Sequence, residues 1–231
     1  FETGAGFPDC FVGLSGDFDG QGLSFGALQW NLGQGSLQPL LHEMVDRHHS
    51  LCRDIFHEQF PVVLAVLTAP PAEQLAWARS IQDRQFRVLE PWRGLLKTVG
   101  RTAEFQAIQM RQAGYFYGRA LELCSTYGLR TERAAALLFD ILVQNGSISL
   151  LVKAQIDKDF SVLPAGDDSP QAEVPRMRII ANRRAAACRP EYIEDVRRRK
   201  LTIAEGKGVV HGIPYDLEQQ FGLRLAPFEQ T

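Results

Sequence analysis

Gly16-Asp17-Phe18-Asp19-Gly20-Gln21-Gly22-Leu23-Ser24-Phe25-Gly26-Ala27-Leu28-Gln29-Trp30 is the stretch on which the reading of this chain turns. Glycine stands at 16, 20, 22 and 26, with two acids and a hydroxyl among them and an apolar run behind, which suits neither a regular helix nor a routine turn. Gly20, Gly22 and Gly26 permit positive φ or close backbone approach, so the acids and Ser24 are expected at fixed angles on a tight ribbon. A second carboxylate, Glu2 in Phe1-Glu2-Thr3-Gly4, lies upstream. The pattern reads as an active-site loop carrying one member of an acid pair, with Glu2 as the other.

Bulk properties narrow the class. The chain has 231 residues, 45% of them hydrophobic, and a formal net charge of −2, which excludes disorder and suits one or two globular domains with a real core. Near-neutral charge argues against nucleic acid as a partner. The basic run Arg197-Arg198-Arg199-Lys200 reads as a solvated helix face or as internal ion-pair partners. No apolar run is long enough for a membrane span, and Pro61 to Leu67 is too short. Cys10, Cys52, Cys124 and Cys188 are widely spaced, which disfavours structural zinc; two disulfides or free buried thiols both fit. The opening at Phe1, without a basic-then-apolar leader, is expected of the trimmed or terminal part of a longer protein.

Outward from the loop, residues 1–14 read as irregular chain leading out of a helix, and Ser36 as the N-cap of a helix through Val45. His42, His48, His49 and His57 lack the spacing that zinc helices use, so neither metal nor other cofactor is expected. Apolar periodicity predicts helices over Pro71 to Leu89 and from Arg101 to Tyr127 with Gly128 as the stop. Thr131 opens a helix that is apolar on nearly every face. Asp140 within it either faces solvent or is buried with a charged or hydrogen-bonding partner. Residues 164–175 read as an exposed, mobile linker, followed by helices over Met177 to Cys188 and Pro190 to Gly206 and an irregular or hairpin tail.

Hydrolysis of a glycosidic bond needs one carboxyl to protonate the leaving oxygen and a second to activate water or attack. Glu2 and Asp19 suit those roles, Asp17 competes with Asp19, and Ser24 could orient a water. The loop lacks the further acceptors and terminal Glu of a calcium-binding loop. Gln29, Asn31 and Gln34 are amides of the kind that bind sugar hydroxyls and acetamido groups, whereas Trp30 could stack on a sugar but is favoured as core.

Glu2 followed by Asp19-Gly20-Gln21-Gly22-Leu23-Ser24-Phe25-Gly26 resembles the signature of the family 46 chitosanases, a Glu and then D-G-x-G-x-T-x-G. Phe105-Gln106-Ala107-Ile108-Gln109, Gly128-Leu129, Phe139 to Gly146 and Arg183-Arg184-Ala185-Ala186 are similar in order and spacing to the rest of that family. The resemblance implies a mainly α, lysozyme-like, two-lobed helical fold with the substrate cleft between lobes and a small irregular or β-hairpin element near the catalytic loop. It implies one catalytic domain over 1–231, with the cleft lined by 1–36 and parts of 105–200. Carried over, Glu2 is the general acid, Asp19 the general base and Ser24 the water-orienting hydroxyl. The family's buried Arg-Asp-Arg relay puts Arg198 against Glu2, Asp140 behind Arg198 and Arg183 behind Asp140.

The departures point away from chitosan. Chitosanases line the cleft with acids and carry an Arg where this chain has Gln21, and no acid follows Gly26 before Glu43. Gln21, Gln29, Asn31, Gln34 and Asn145 are the expected substrate-binding residues. The expectation is therefore a secreted or periplasm-acting muramidase that cleaves peptidoglycan by an inverting two-carboxylate mechanism. Chitosanase, lytic transglycosylase and a silent wall-binding domain are the alternatives. An immunity protein and a further upstream domain are partners compatible with that role.

Overall fold

The computed structural model describes residues 2–164 and 166–228 and is mainly helical, with short antiparallel sheets. The chain divides into two compact units, Phe1–Ala113 and Gly114–Thr231.

In the first unit a 3-10 turn, Asp9–Val12, leads into β1 (Leu14–Ser15), β2 (Ser24–Phe25) and β3 (Trp30–Asn31), paired antiparallel in that order. The register sets Ser15 opposite Ser24 and Ser24 opposite Asn31, and Leu14 opposite Phe25 and Phe25 opposite Trp30. Directly opposed residues share a face. The sheet therefore has a polar row, Ser15-Ser24-Asn31, and an apolar row, Leu14-Phe25-Trp30. Phe25 stacks on Phe105 with ring centroids 5.4 Å apart, and Trp30 is buried, so Trp30 is core.

Helices α1 (Gln38–Arg47), α2 (His49–Phe56), α3 (Phe60–Thr68), α4 (Pro71–Ser80) and α5 (Trp92–Arg101) follow, and then the start of the long helix α6 (Ala103–Tyr127). Leu37, Leu40, Met44, Cys52, Phe56 and Leu96 join Phe25 and Phe105 in one apolar core. Two local expectations fail. Ser36 does not cap α1; its hydroxyl accepts from Asn31 N–H at 2.9 Å, and Leu37 takes the cap position. The helix expected to reach Leu89 stops at Ser80. Asp83 carboxylate accepts from the backbone N–H of Gln85 and Arg87, both at 2.9 Å, and such local bonds compete with helix.

In the second unit α6 ends before Gly128, as its stop signal indicated, and α7 (Glu132–Asn145) is capped by Thr131, whose hydroxyl accepts from Ala134 N–H. Next come α8 (Leu150–Phe160), α9 (Glu173–Ala186) and α10 (Ile193–Glu205), then a hairpin of β4 (Lys207–Val210) and β5 (Ile213–Asp216), and α11 (Leu217–Phe221). Helices α7, α9 and α10 pack on one another through Leu138, Ile141, Met177, Ile180, Ile203 and their neighbours. Helix α9 starts inside the expected linker, of which Ala165 lies outside the described residues. Pro175 is tolerated there because first-turn N–H groups need no intrahelical partner. Glu173 anchors the start: its buried carboxylate accepts from the N–H groups of Arg130 and Thr131 and from the Thr131 hydroxyl.

All three loop glycines, Gly20, Gly22 and Gly26, have positive φ, as their pattern suggested. Gly26 is the most constrained: φ is +87°, and a Cβ would lie 2.4 Å from Gln109 Oε1. Gly26→Ala is expected to lower stability by about 2–4 kcal/mol, combining backbone strain with displacement of a buried amide, measured by urea unfolding.

Candidate functional site

The loop between β1 and β2 separates its two acids. Asp17 is anchored: Oδ2 accepts from Arg79 Nε at 2.6 Å and Oδ1 from Gly22 N–H at 2.5 Å. Burial pushes its carboxyl up, but the hydrogen bonds from Arg79 and Gly22 and the Arg79 charge outweigh that and hold its pKa below the ordinary value. Asp19 is exposed, and among the described residues its carboxylate accepts one hydrogen bond, from Gln21 N–H at 3.1 Å. Asp17 is thus a structural member of the loop, and Asp19 is available for chemistry.

Glu2 is half-buried at the start of the same unit. Its neighbour Thr3 lies over Gly13, with Cγ2 2.6 Å from where a Cβ would stand, so this chain end is seated directly before β1. Ser24 is buried on β2 in the polar row, and among the described residues its hydroxyl has no hydrogen-bond partner.

The amides expected to bind sugar separate into two kinds. Gln29 is a scaffold residue: Nε2 donates to Gly13 O at 3.1 Å and Gly26 O at 2.9 Å, and Oε1 accepts from Ser15 hydroxyl at 2.7 Å. Its side-chain amide is engaged within the unit on both its nitrogen and its oxygen, a scaffold role beside the expected one of binding substrate. Asn31 Oδ1 accepts from Gln34 N–H at 2.8 Å, and Gln34 is exposed. Gln21 lies against Gly33, whose N–H donates to Gln21 O. Asn145 belongs to the second unit, where Nδ2 approaches Cys188 Sγ at 3.9 Å and the backbone carbonyl accepts from Arg184 Nη2 at 3.4 Å, while the side-chain Oδ1 is buried with no hydrogen-bond partner among the described residues. It too is held by its own unit.

Asp140 has cationic partners, but not the expected ones. Asp140 is buried, as one reading of the apolar helix required, and its Oδ1 accepts from Arg199 Nε at 2.7 Å and Nη2 at 2.5 Å. Its Oδ2 accepts from Lys200 Nζ at 2.9 Å, and Lys200 also donates to Gln144 Oε1 at 2.7 Å. Arg198 is exposed, and Arg183 instead makes a bidentate pair with Asp159 at 2.6 and 2.8 Å. The expected Arg198-Asp140-Arg183 chain is therefore replaced by Asp140 between Arg199 and Lys200. Burial pushes the Asp140 carboxyl up, yet the charges of Lys200 and Arg199 and their hydrogen bonds prevail and its pKa falls below the ordinary value.

The roles of three residues that bear on the site escaped sequence reading. Gln82 and Arg79 brace the loop, and Gln109, 1% exposed, accepts from Ala27 N–H at 2.9 Å and donates to Phe11 O at 3.1 Å. The one available signal was a polar residue at an apolar-periodic position of α6. Elsewhere, a cavity of about 410 Å³ lined by Val62, Val66, Glu73 and Trp77, among others, contains none of the candidate residues. All four cysteines are free, with burial pushing Cys52 to about 11 and Cys124 to about 12. Among the described residues no His, Cys, Asp and Glu group could hold a metal ion. Compared with family models, curated proteins and solved structures, the chain matches none.

Asp140→Asn is expected to cost about 3–5 kcal/mol because it removes the buried carboxylate that both Arg199 and Lys200 bond, whereas Arg198→Ala should stay within about 0.5 kcal/mol; urea unfolding compares them. Because the folded pKa of Asp140 is depressed, its contribution is present above the unfolded value and is lost as pH falls through the lower folded one. The gap between wild type and Asp140→Asn should accordingly narrow on acidification below about pH 4.

Proposed function

We propose that the chain is a glycoside hydrolase of the lysozyme-like, two-lobed kind that cleaves a β-1,4-linked amino-sugar glycan, with peptidoglycan as its substrate. The observation that carries this reading is the separation of roles in the loop. Asp17 is locked to Arg79 and Gly22, while Asp19 stands exposed in the D-G-x-G-x-[ST]-x-G frame, on the same unit as Glu2 and Ser24.

In this mechanism Glu2 delivers a proton to the glycosidic oxygen. Asp19 takes a proton from a water that attacks the anomeric carbon from the opposite face, giving inversion. Ser24 orients that water. Its hydroxyl is fixed by the sheet register yet has no other hydrogen-bond partner among the described residues.

The charge pattern favours a neutral glycan over a polycation. Glu43, the first acid after the loop, is occupied by Arg47 at 2.9 Å and Arg111 at 2.6 Å. A chain of free glucosamine ammonium groups would find little uncompensated negative charge there. Of the amides, Gln21, Asn31 and Gln34 remain the candidates for acetamido and hydroxyl groups. Peptidoglycan lies outside the cytoplasmic membrane, so the enzyme would act as a secreted or periplasmic protein; among the described residues no helix is long and apolar enough to cross a membrane.

Digestion of purified peptidoglycan and chitosan side by side, with products identified by mass spectrometry, tests this directly. Muramic acid at new reducing ends is the expected product. Anhydro ends would indicate a transglycosylase, glucosamine oligomers a chitosanase, and no product a silent wall-binding domain. Glu2→Gln and Asp19→Asn should each lower turnover by about 10²–10⁴-fold, and NMR of the fresh products should show the inverted anomer. Full activity of Asp19→Asn would favour a single-acid route.

A further inference from the structure

We infer that Gln82 is a positioning residue for Asp19, acting by closing the 17–22 loop into a ring; the inference rests on the glycosidase reading above. Gln82 lies just past the end of α4. Its Oε1 accepts from Asp17 N–H at 2.8 Å, and its Nε2 donates to Gly22 O at 2.7 Å and to Ala78 O at 2.8 Å. One side-chain amide thus grips the first and last residues of the loop and fastens both to the helix end. Asp17 Oδ1 closes the ring a second time by accepting from Gly22 N–H at 2.5 Å, and Arg79 holds the other carboxylate oxygen.

Between the two tied ends lie Phe18, Asp19, Gly20 and Gln21, with Phe18 67% exposed and Asp19 also open to solvent. Exposed residues on a short loop have little packing to fix them, so their position is set by the anchors at the ends. A base displaced by about 1 Å loses on the order of 10²-fold in rate. Gln82 meets no reacting atom in this scheme; it acts through the backbone that carries Asp19.

The test compares wild type, Gln82→Met, Asp19→Asn and the double variant, as full chains, on soluble uncrosslinked glycan strands prepared from peptidoglycan. Gln82→Met nearly preserves volume but cannot bond to either end of the loop. It is expected to lower kcat by about 10- to 100-fold with KM within about twofold, the split expected of lost transition-state positioning. The double variant should be no slower than Asp19→Asn alone, because the ring then has no base to position. Amide hydrogen exchange should accelerate at Asp17 and Gly22 while Phe105 keeps its protection.

A multiplicative fall in the double variant, unchanged kcat in Gln82→Met, or unchanged exchange at Asp17 and Gly22 would overturn the inference. Wild type without turnover on any glycan would instead sink the glycosidase reading. The exchange measurement would still decide whether Gln82 closes the ring.

Discussion

Backbone groups that leave water must find partners, and the small sheet of the first unit cannot supply them alone. With two residues in each of β1, β2 and β3, its ladder satisfies only a few of the N–H and C=O groups in the turns around it. Side-chain amides take the rest. Gln29 bonds Gly13 and Gly26, Gln82 bonds Asp17 and Gly22, Gln109 bonds Ala27 and Phe11, and Gln38 bonds Leu32 while touching Gln74. A primary amide offers two donors and an acceptor, so it can stand in for a stretch of peptide. The turn that carries Asp19 and the short strand that carries Ser24 are held in place by these substitutes for backbone pairing.

This explains why the loop was legible in the sequence and its amides were not. The glycine spacing announced a ribbon at positive φ, and Gly20, Gly22 and Gly26 adopt it. The D-G-x-G frame favoured Asp19 over Asp17, and in the structure Asp17 is the one bonded to Arg79 and Gly22. Gln29, by contrast, is a residue type that serves equally well to bind a sugar or to bind backbone. Only the arrival of Gly13 beside it, a tertiary event, decides which. Gln82 was hidden differently, within a run whose apolar spacing read as helix to Leu89, although local bonds to Asp83 stop that helix at Ser80.

The second unit gives a case of correct chemistry at the wrong position. A carboxylate buried in an apolar helix needs a charged or hydrogen-bonding partner, and Asp140 has two cations. The sequence offered Arg197 to Lys200 as consecutive candidates. Successive residues on a helix differ by about 100° in direction. That rotation turns Arg198 to solvent and Arg199 with Lys200 inward, while Arg197 pairs with Glu194 on the surface. Spacing from a distant motif cannot resolve a one-residue phase, but burial of the carboxylate can.

The composition of the loop's bracing also bears on how the site responds to its surroundings. Glutamine amides carry no titratable proton, and Asp17, the ionisable member of the brace, is held below its ordinary pKa by Arg79 and Gly22. The scaffold therefore keeps its charge to a lower pH than an ordinary Asp would allow. In such an arrangement acid reaches the brace late: the amides have nothing to titrate, and Asp17 gives up its charge only below the range of an unbonded carboxylate, so mild acidification leaves the support beneath the ring in place.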